Sequence, residues 1–487
     1  MRILNREQLI SCGYKKGREN MIEILEAGLQ AADPYYNTKD MFHIEGNLLY
    51  IGTEEFQATG DPKHGAEVID LSLTDHIYVV GAAKGVQRMA KAIEDALGEY
   101  LTGGHVIGKH GDSTDLNCIG ITLAAHPTPD EYCLEGCMKI VELADKVTEN
   151  DLVITIIGNG GSSLLTYPSE GITIQEVKDF TYMMQIEKGV PTIELNVVRN
   201  HIDRLKGGRL TKLFSKAKVI CLDCVDANDF RFRGVREDWN ILMHENRWLH
   251  NLPDETTFAD AMEIIQKYEV EERTPKSIIK HLKKALPEDD TIHFDEFMTF
   301  DTRMFGITPA SRDFIAIGKK KAEELGYTAL TLAHVEAVWA TQAARIFSSI
   351  IKHTLEMSEP FKTPVALFIG EEMVVEVGDN NGVGGRNQEY ALMMATLIDG
   401  LEKVTVGAVD TDGTDGPGGL TLEGAPNCLA GGIVDGLSMK VAKEHGVDVE
   451  DALRTHSTSQ ALWRMDCAIS ATQNVSMGDL GVILIDS

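Results

Sequence analysis

Four short runs that are apolar almost from end to end, HIYVVGAA (76–83), CIGITLAA (118–125), DLVITIIG (151–158) and KVICLD (218–223), constrain this chain more than any other feature. A strand with one wet face alternates polar and apolar residues, whereas a continuous apolar run predicts a strand covered on both faces. The runs are separated by stretches of helical character, VQRMAKAIEDALGEYL (86–101) and LEGCMKIVELADKV (134–147). This alternation predicts an α/β fold with an open, mostly parallel sheet flanked by helices, Rossmann-like in style.

The chain has 487 residues, more than a single hydrophobic core accommodates, so two domains with an active site in the cleft between them are expected. The N-terminal segment places Met21, Ile22, Leu25 and Leu29 on one helical face and stops before Asp33-Pro34, as a packing helix would. Residues 258–300, beginning FADAMEIIQKY, are charged and helical and read as a connector. A second alternating series then follows, with a helix expected over 335–353 and strands at PVALFIG, VVEVG, KVTVGAV and GVILID. The expected division is therefore 1–300 for the first α/β domain and 301–487 for a smaller one.

The formal charge of −29 disfavours broad contact with nucleic acid or an anionic membrane. Eight cysteines are too sparse for a disulfide framework. Cys221 and Cys224, spaced CxxC inside a strand-like run with no second pair nearby, read as packing residues. No apolar block marks the first twenty residues, so a cytoplasmic location is expected, and a homo-oligomer is left open.

Against an acidic background, an anionic ligand needs local islands of donors, and five junctions offer them. VVGAAKG (79–85) carries Gly81 and Lys84 from a strand into a helix, where a compact cation can meet a phosphate. IIGNGGSSLL (156–165) combines Gly158, Gly160, Gly161, Ser162 and Ser163, small enough for close backbone approach and rich in donors. NVVRNHIDRLKGGRL (196–210) adds Asn196, Arg199 and Lys206, the two cations sharing a face if the segment is helical throughout. GDNNGVGGRNQEYAL (378–392) sets Gly385, Arg386, Asn387 and Glu389 at the start of an apolar helix. VDTDGTDGPGG (409–419) spaces Asp410, Asp412 and Asp415 on a glycine-rich loop suited to Mg²⁺. GGHVIGKH (103–110) mimics a P-loop but has His110 where a Mg²⁺-binding hydroxyl belongs, and no strand-linked GxGxxG supports a nicotinamide enzyme.

Taken in order, VVGAAKG, AAHPTPDE, GNGGSSLL, NVVRNHIDRLKGGRL, TFADAMEIIQKY, GGRNQEYAL and DTDGTDGPGG resemble the type-2 glycerate kinases, whose C-terminal half is called the MOFRL domain. The resemblance spans nearly the whole chain. It implies ATP-dependent phosphorylation of glycerate, usually at the 2-hydroxyl, with the lysine matching Lys84 and the arginine matching Arg386 central to the site. Several ligand loops depart from the family pattern. Gly158 and Asn159 replace the first Ser and Gly of SGGGSAL, and Asn200 replaces the lysine of VRKH. LDCVDANDFRFRGVREDWN keeps Asp223 but gains Arg231, Arg233 and Arg236, and SATQNVSMGDL stands where a TGPTGTNVNDL-like segment is usual.

The mechanism expected from these residues is in-line transfer. Lys84 and Arg386, one from each domain, neutralise the γ-phosphoryl group and the substrate carboxylate while the Gly158–Ser162 turn cradles phosphates. Mg²⁺ is expected on Asp412 or Asp415, and Asp223 or Asp410 on the attacking hydroxyl. Rival expectations are a kinase for another small hydroxy or sugar acid, a hydroxypyruvate-type reductase, and a non-catalytic ligand-binding relative.

Overall fold

The computed structural model describes residues 1–112, 114–226, 231–232, 235–236, 238–308, 313–377, 382–472 and 477–487. The protein is mixed α/β and divides into two compact units, Pro34–Ala310 and a second formed by Met1–Asp33 with Ser311–Ser487. In the 34–310 unit, the four apolar runs form β1 (Ile77–Ala82), β3 (Ile119–Ala124), β4 (Leu152–Ile157) and β5 (Lys218–Asp226), joined by β2 (Gly103–Lys109) and β6 (Thr302–Thr308). All pair in parallel in the order β6-β5-β4-β1-β2-β3. Every residue of β1 and β4 is buried, as expected for central strands with helices on both faces.

The order reverses between β1 and β4. From β1 the chain winds outward to β2 and β3, and from β4 it winds the other way to β5 and β6. The crossovers leaving these two neighbours run in opposite directions, and in open α/β sheets it is at such a point, beyond the carboxyl ends of the strands, that ligands bind. Their close approach also explains Gly81: at its φ of +155° a Cβ would stand 1.9 Å from the Ile156 carbonyl oxygen.

Helices Ile174–Thr181, Thr192–His201, Phe258–Lys267 and Lys276–Lys284 bury a small core of their own, including Phe180, Leu195, Val198, Ala261 and Ile278. The stretch read as a connector thus contributes two helices to a helical layer. A three-stranded antiparallel sheet, Phe42–Glu45, Leu48–Ile51 and Glu67–Asp70, was not anticipated from the sequence.

The other unit contains β7 (Thr328–Trp339), β8 (Val365–Val374), β9 (Val404–Asp410), β10 (Gly431–Asp435), β11 (Ala468–Ile469) and β12 (Asp479–Ile485), ordered β7-β8-β12-β9-β10-β11. Only β7 and β8 are parallel. The helix expected over 335–353 begins instead at Ala340, because β7 continues to pair with β8 as far as Trp339 and Val374.

The N-terminus is also placed differently from the 1–300 division. Met21, Ile22, Leu25 and Leu29 of helix Lys15–Ala31 join one core with Phe368, Val482 and Leu484, so this helix covers a face of the 328–485 sheet. Arg18 fastens it. Its side chain is fully buried, pairs with Asp435, and donates to the carbonyl oxygens of Leu9 (3.0 Å) and Asp466 (3.1 Å). Arg18→Met leaves the buried Asp435 carboxylate without its cation and should destabilise this unit by about 3–5 kcal/mol. The check is the urea midpoint; an unchanged midpoint would show that the ion pair contributes nothing.

All eight cysteines are free thiols, and none of the helices among the described residues is long and apolar enough to cross a membrane.

Candidate functional site

At the reversal point, the turn after β1 and the turn after β4 hold each other. Lys84 N–H donates to the Asn159 carbonyl oxygen (2.8 Å), and a Cβ on Gly160 would sit 2.7 Å from Lys84 Cγ. Gly160 has φ +88°, and on Gly158 a Cβ would meet Cys224 Cβ at 2.6 Å. Glycine is required at both positions because backbone, lysine and β5 crowd together there. Asp112, which the sequence did not flag, accepts from Gly85 N–H and Lys109 N–H (both 3.2 Å) and so steadies the start of helix Val86–Leu97.

The serines after the turn divide their work. Ser163 Oγ donates to the Ala125 carbonyl oxygen (3.1 Å) and is buried. Ser162, half-buried, accepts from Asn196 Nδ2 (2.9 Å) and hydrogen bonds His250 Nε2 (3.0 Å). Asn196 in turn accepts from Arg199 Nη1 (3.3 Å), whose Nη2 donates to Gln185 Oε1 (3.0 Å) in the π-helical turn Tyr182–Glu187. Arg199 is buried among neutral partners, with no carboxylate paired to it among the described residues, and burial pulls its guanidinium down to about 9.

Lys206 behaves differently. Helix Thr192–His201 ends before it, so it does not continue the Arg199 face; its ammonium pairs with Asp203 (2.6 Å) and donates to Thr166 Oγ1 (3.1 Å). Arg209 donates to the Asp203 (2.5 Å) and Asp289 (3.0 Å) carbonyl oxygens and straps the loop.

Asp223, level with Ile157 across the β4–β5 pair, is completely buried and neither carboxylate oxygen has a hydrogen-bond partner among the described residues. Burial pushes its carboxyl up to about 8, with the nearby Asn251 side chain acting in the opposite direction. Asn251 donates to Thr155 Oγ1 (3.0 Å). His250 and Asn251 lie in WLHNLPD, a segment with no periodic or glycine signature to mark it in the sequence. Arg233 lies outside the described residues, as do the side chains of Arg231 and Arg236.

In the 311–487 unit, Arg386 opens helix Arg386–Leu397 and is gripped by Asp479, Nε to Oδ2 at 2.5 Å and Nη2 to Oδ1 at 2.9 Å, with Asp410 Oδ2 at 3.5 Å and Glu372 at 3.8 Å. Burial works against its charge, but these carboxylates outweigh it and hold the guanidinium well above its ordinary value. Asp415 accepts from Asn387 N–H (3.2 Å) and Gln388 N–H (2.9 Å), capping the same helix. Burial, reinforced by Asp479, pushes it up to about 6. Asp412 Oδ1 accepts from both the N–H and hydroxyl of Thr414 (each 2.7 Å). Glu389 pairs with His456 Nδ1 (2.7 Å). A carbon on Gly385 would collide with Asp415, so that position too is closely packed. Residues 378–381 and 473–476 of the loops singled out above lie outside the described residues.

A lysine and a glycine turn thus stand at the reversal point of a parallel sheet, the place where ligands bind in open α/β enzymes. Two family models match the chain, Domain of unknown function (DUF4147) over residues 20–229 and the MOFRL family over 365–476. Glycerate 2-kinase of Pyrococcus horikoshii is 31% identical over 445 residues, 91% of this chain and 92% of its own length. D-glycerate 2-kinase of Thermotoga maritima is 32% identical over 413 residues, 84% and 91% of the two chains. The crystal structure of glycerate kinase (EC 2.7.1.31) from Thermotoga maritima superposes with a TM-score of 0.72 at 28% identity, covering 96% of this chain and 99% of that one. The chain belongs to the glycerate 2-kinase family, whose members are phosphotransferases acting on an alcohol group.

Proposed function

We propose that the protein is an ATP- and Mg²⁺-dependent kinase that phosphorylates glycerate at its 2-hydroxyl, giving 2-phosphoglycerate. The observation that most supports this reading is the meeting of Lys84 with the glycine turn at the strand reversal, at the same sheet end as the buried Asp223. Gly158, Gly160 and Gly161 let the backbone approach a phosphate, Ser162 adds a hydroxyl, and Asn196, itself held by Arg199, donates to that hydroxyl from behind. Lys84 neutralises charge on the transferring phosphoryl group. Asp223 takes the proton of the attacking hydroxyl, because a carboxyl raised to about 8 is basic enough to accept it near neutral pH.

In the 311–487 unit, Arg386 offers a cation to an anionic ligand, with Gly385, Asn387 and Glu389 at the start of its helix. Asp479 holds the guanidinium fork in a set orientation. Magnesium bound with a nucleotide screens phosphate charge and keeps several waters, needing only one or two carboxylates. No group of three or more His, Cys, Asp or Glu side chains placed to hold a metal ion occurs among the described residues. Of the two candidates, Asp412 suits it better, since both oxygens of Asp415 already cap a helix.

The departures at Asn159 and Asn200 favour, as a second reading, a kinase for another small hydroxy acid. Both readings are tested by offering ATP with a panel of hydroxy acids and identifying the product by ³¹P NMR. Glycerate should be consumed fastest and yield the 2-phosphate. A different preferred acid moves the assignment to the second reading, and NADH oxidation with hydroxypyruvate in place of ATP turnover overturns both.

A further inference from the structure

His250 is one residue no motif predicted. It is 1% exposed, its Nε2 lies 3.0 Å from Ser162 Oγ, and its Nδ1 is buried with no partner among the described residues. Three protonation states are open to the ring, and the surroundings choose among them. The imidazolium is disfavoured by burial and by the positive field of Lys206, Arg199 and Arg209, which hold His250 well below its ordinary value. A proton on Nδ1 would leave a buried N–H unsatisfied, which is rarer and more costly than an unsatisfied acceptor. The remaining tautomer carries its proton on Nε2 and donates it to Ser162.

Ser162 then accepts twice, from His250 Nε2–H and from Asn196 Nδ2 at 2.9 Å, which fills the two acceptor sites of a hydroxyl. Neither neighbour takes the serine's own proton. His250 and Asn196 are buried behind the serine, while Ser162 keeps partial exposure at the glycine turn.

We propose that His250 is a positioning residue: as an Nε2–H donor, together with Asn196, it turns the Ser162 O–H outward as a donor to an anionic oxygen of the bound ligand. This rests on the kinase reading above, in which that oxygen belongs either to a nucleotide phosphate or to the acceptor's carboxylate. Donation to a charged oxygen contributes roughly a 10- to 100-fold effect.

Two measurements test the proposal. In ¹⁵N-histidine-labelled wild-type protein, with the signal assigned by its loss in His250→Gln, the His250 ring should be neutral with its proton on Nε2. An Nδ1–H tautomer or an imidazolium overturns the proposal, and this readout needs no turnover, so it stands even if no acid on the panel is phosphorylated. The second is a double-mutant cycle. Ser162→Ala and His250→Ala should each lower kcat/KM about tenfold or more, and the double variant should be no worse than either alone. His250→Gln, which keeps an N–H donor, should recover most of the loss. Additive losses, or a Gln variant as impaired as the Ala variant while melting like wild type, would overturn it. Calorimetry with ATP against the KM for glycerate tells the two sources apart: weaker ATP binding in Ser162→Ala assigns the oxygen to the nucleotide, a raised glycerate KM assigns it to the acid, and no change in either removes Ser162 as a donor.

Discussion

Lys84→Met should lower kcat by about 10²- to 10³-fold while the fold is kept, because it removes a preorganised charge from the place where phosphoryl charge develops. The side chain is only half-buried, so its loss leaves no cavity in a core. Melting temperature and far-ultraviolet circular dichroism should match wild type. Lys84→Arg should recover little of the lost rate. A planar guanidinium fork does not reproduce the compact, rotatable charge of an ammonium. Near-normal turnover of the Met variant with both ATP and acid saturating would take Lys84 out of the reaction.

Asp223→Asn should move activity and stability in opposite directions. As a proton acceptor the carboxylate accounts for about 10²- to 10⁴-fold in rate, and an amide cannot replace it. In the folded protein its proton is held up to about 8, against an ordinary carboxyl value near 4. The fold therefore binds this proton more tightly than the unfolded chain. The stability this gives is complete below about pH 4 and is lost as pH rises towards about 8, where burying the ionised form is fully unfavourable. A neutral amide carries no such penalty, so the Asp223→Asn variant should melt at the wild-type temperature near pH 4 and several degrees above it at pH 8. The wild-type kcat/KM should rise with pH through a transition near 8, and the variant should lack it. A variant that melts lower than wild type at pH 8 would show that the carboxylate is satisfied by a partner rather than stranded.

The contrast between Asp223 and Arg386 indicates how each was legible. Both stand in recognisable blocks, yet their environments could not be read there. Arg386 meets Asp479, 93 residues further on, and the Asp223 carboxylate has no hydrogen-bond donor among the described residues. Lys84 and the 158–163 turn were legible as chemistry because glycine, lysine and serine at a strand end have local consequences. His250, Asn251 and Asp112 come from segments with no such signature and reach the site only through packing. Arg199 and Lys206 looked alike in sequence and differ in the structure, since the helix stops at His201 and Lys206 turns to Asp203.

Apolar periodicity is a property of neighbouring residues, so the alternation of the central strands with helices, the burial of β1 and β4 on both faces and the amphipathic face of helix Lys15–Ala31 were present in the linear text. Which strand lies beside which is a different matter, because a parallel sheet leaves every pairing to crossovers whose energies depend on contacts far apart in sequence. The same runs would suit many orders; packing selected the one that reverses between β1 and β4 and seats the N-terminal helix on the 328–485 sheet. That selection, rather than any motif, brought a lysine, a glycine turn and a buried carboxyl to one end of one sheet.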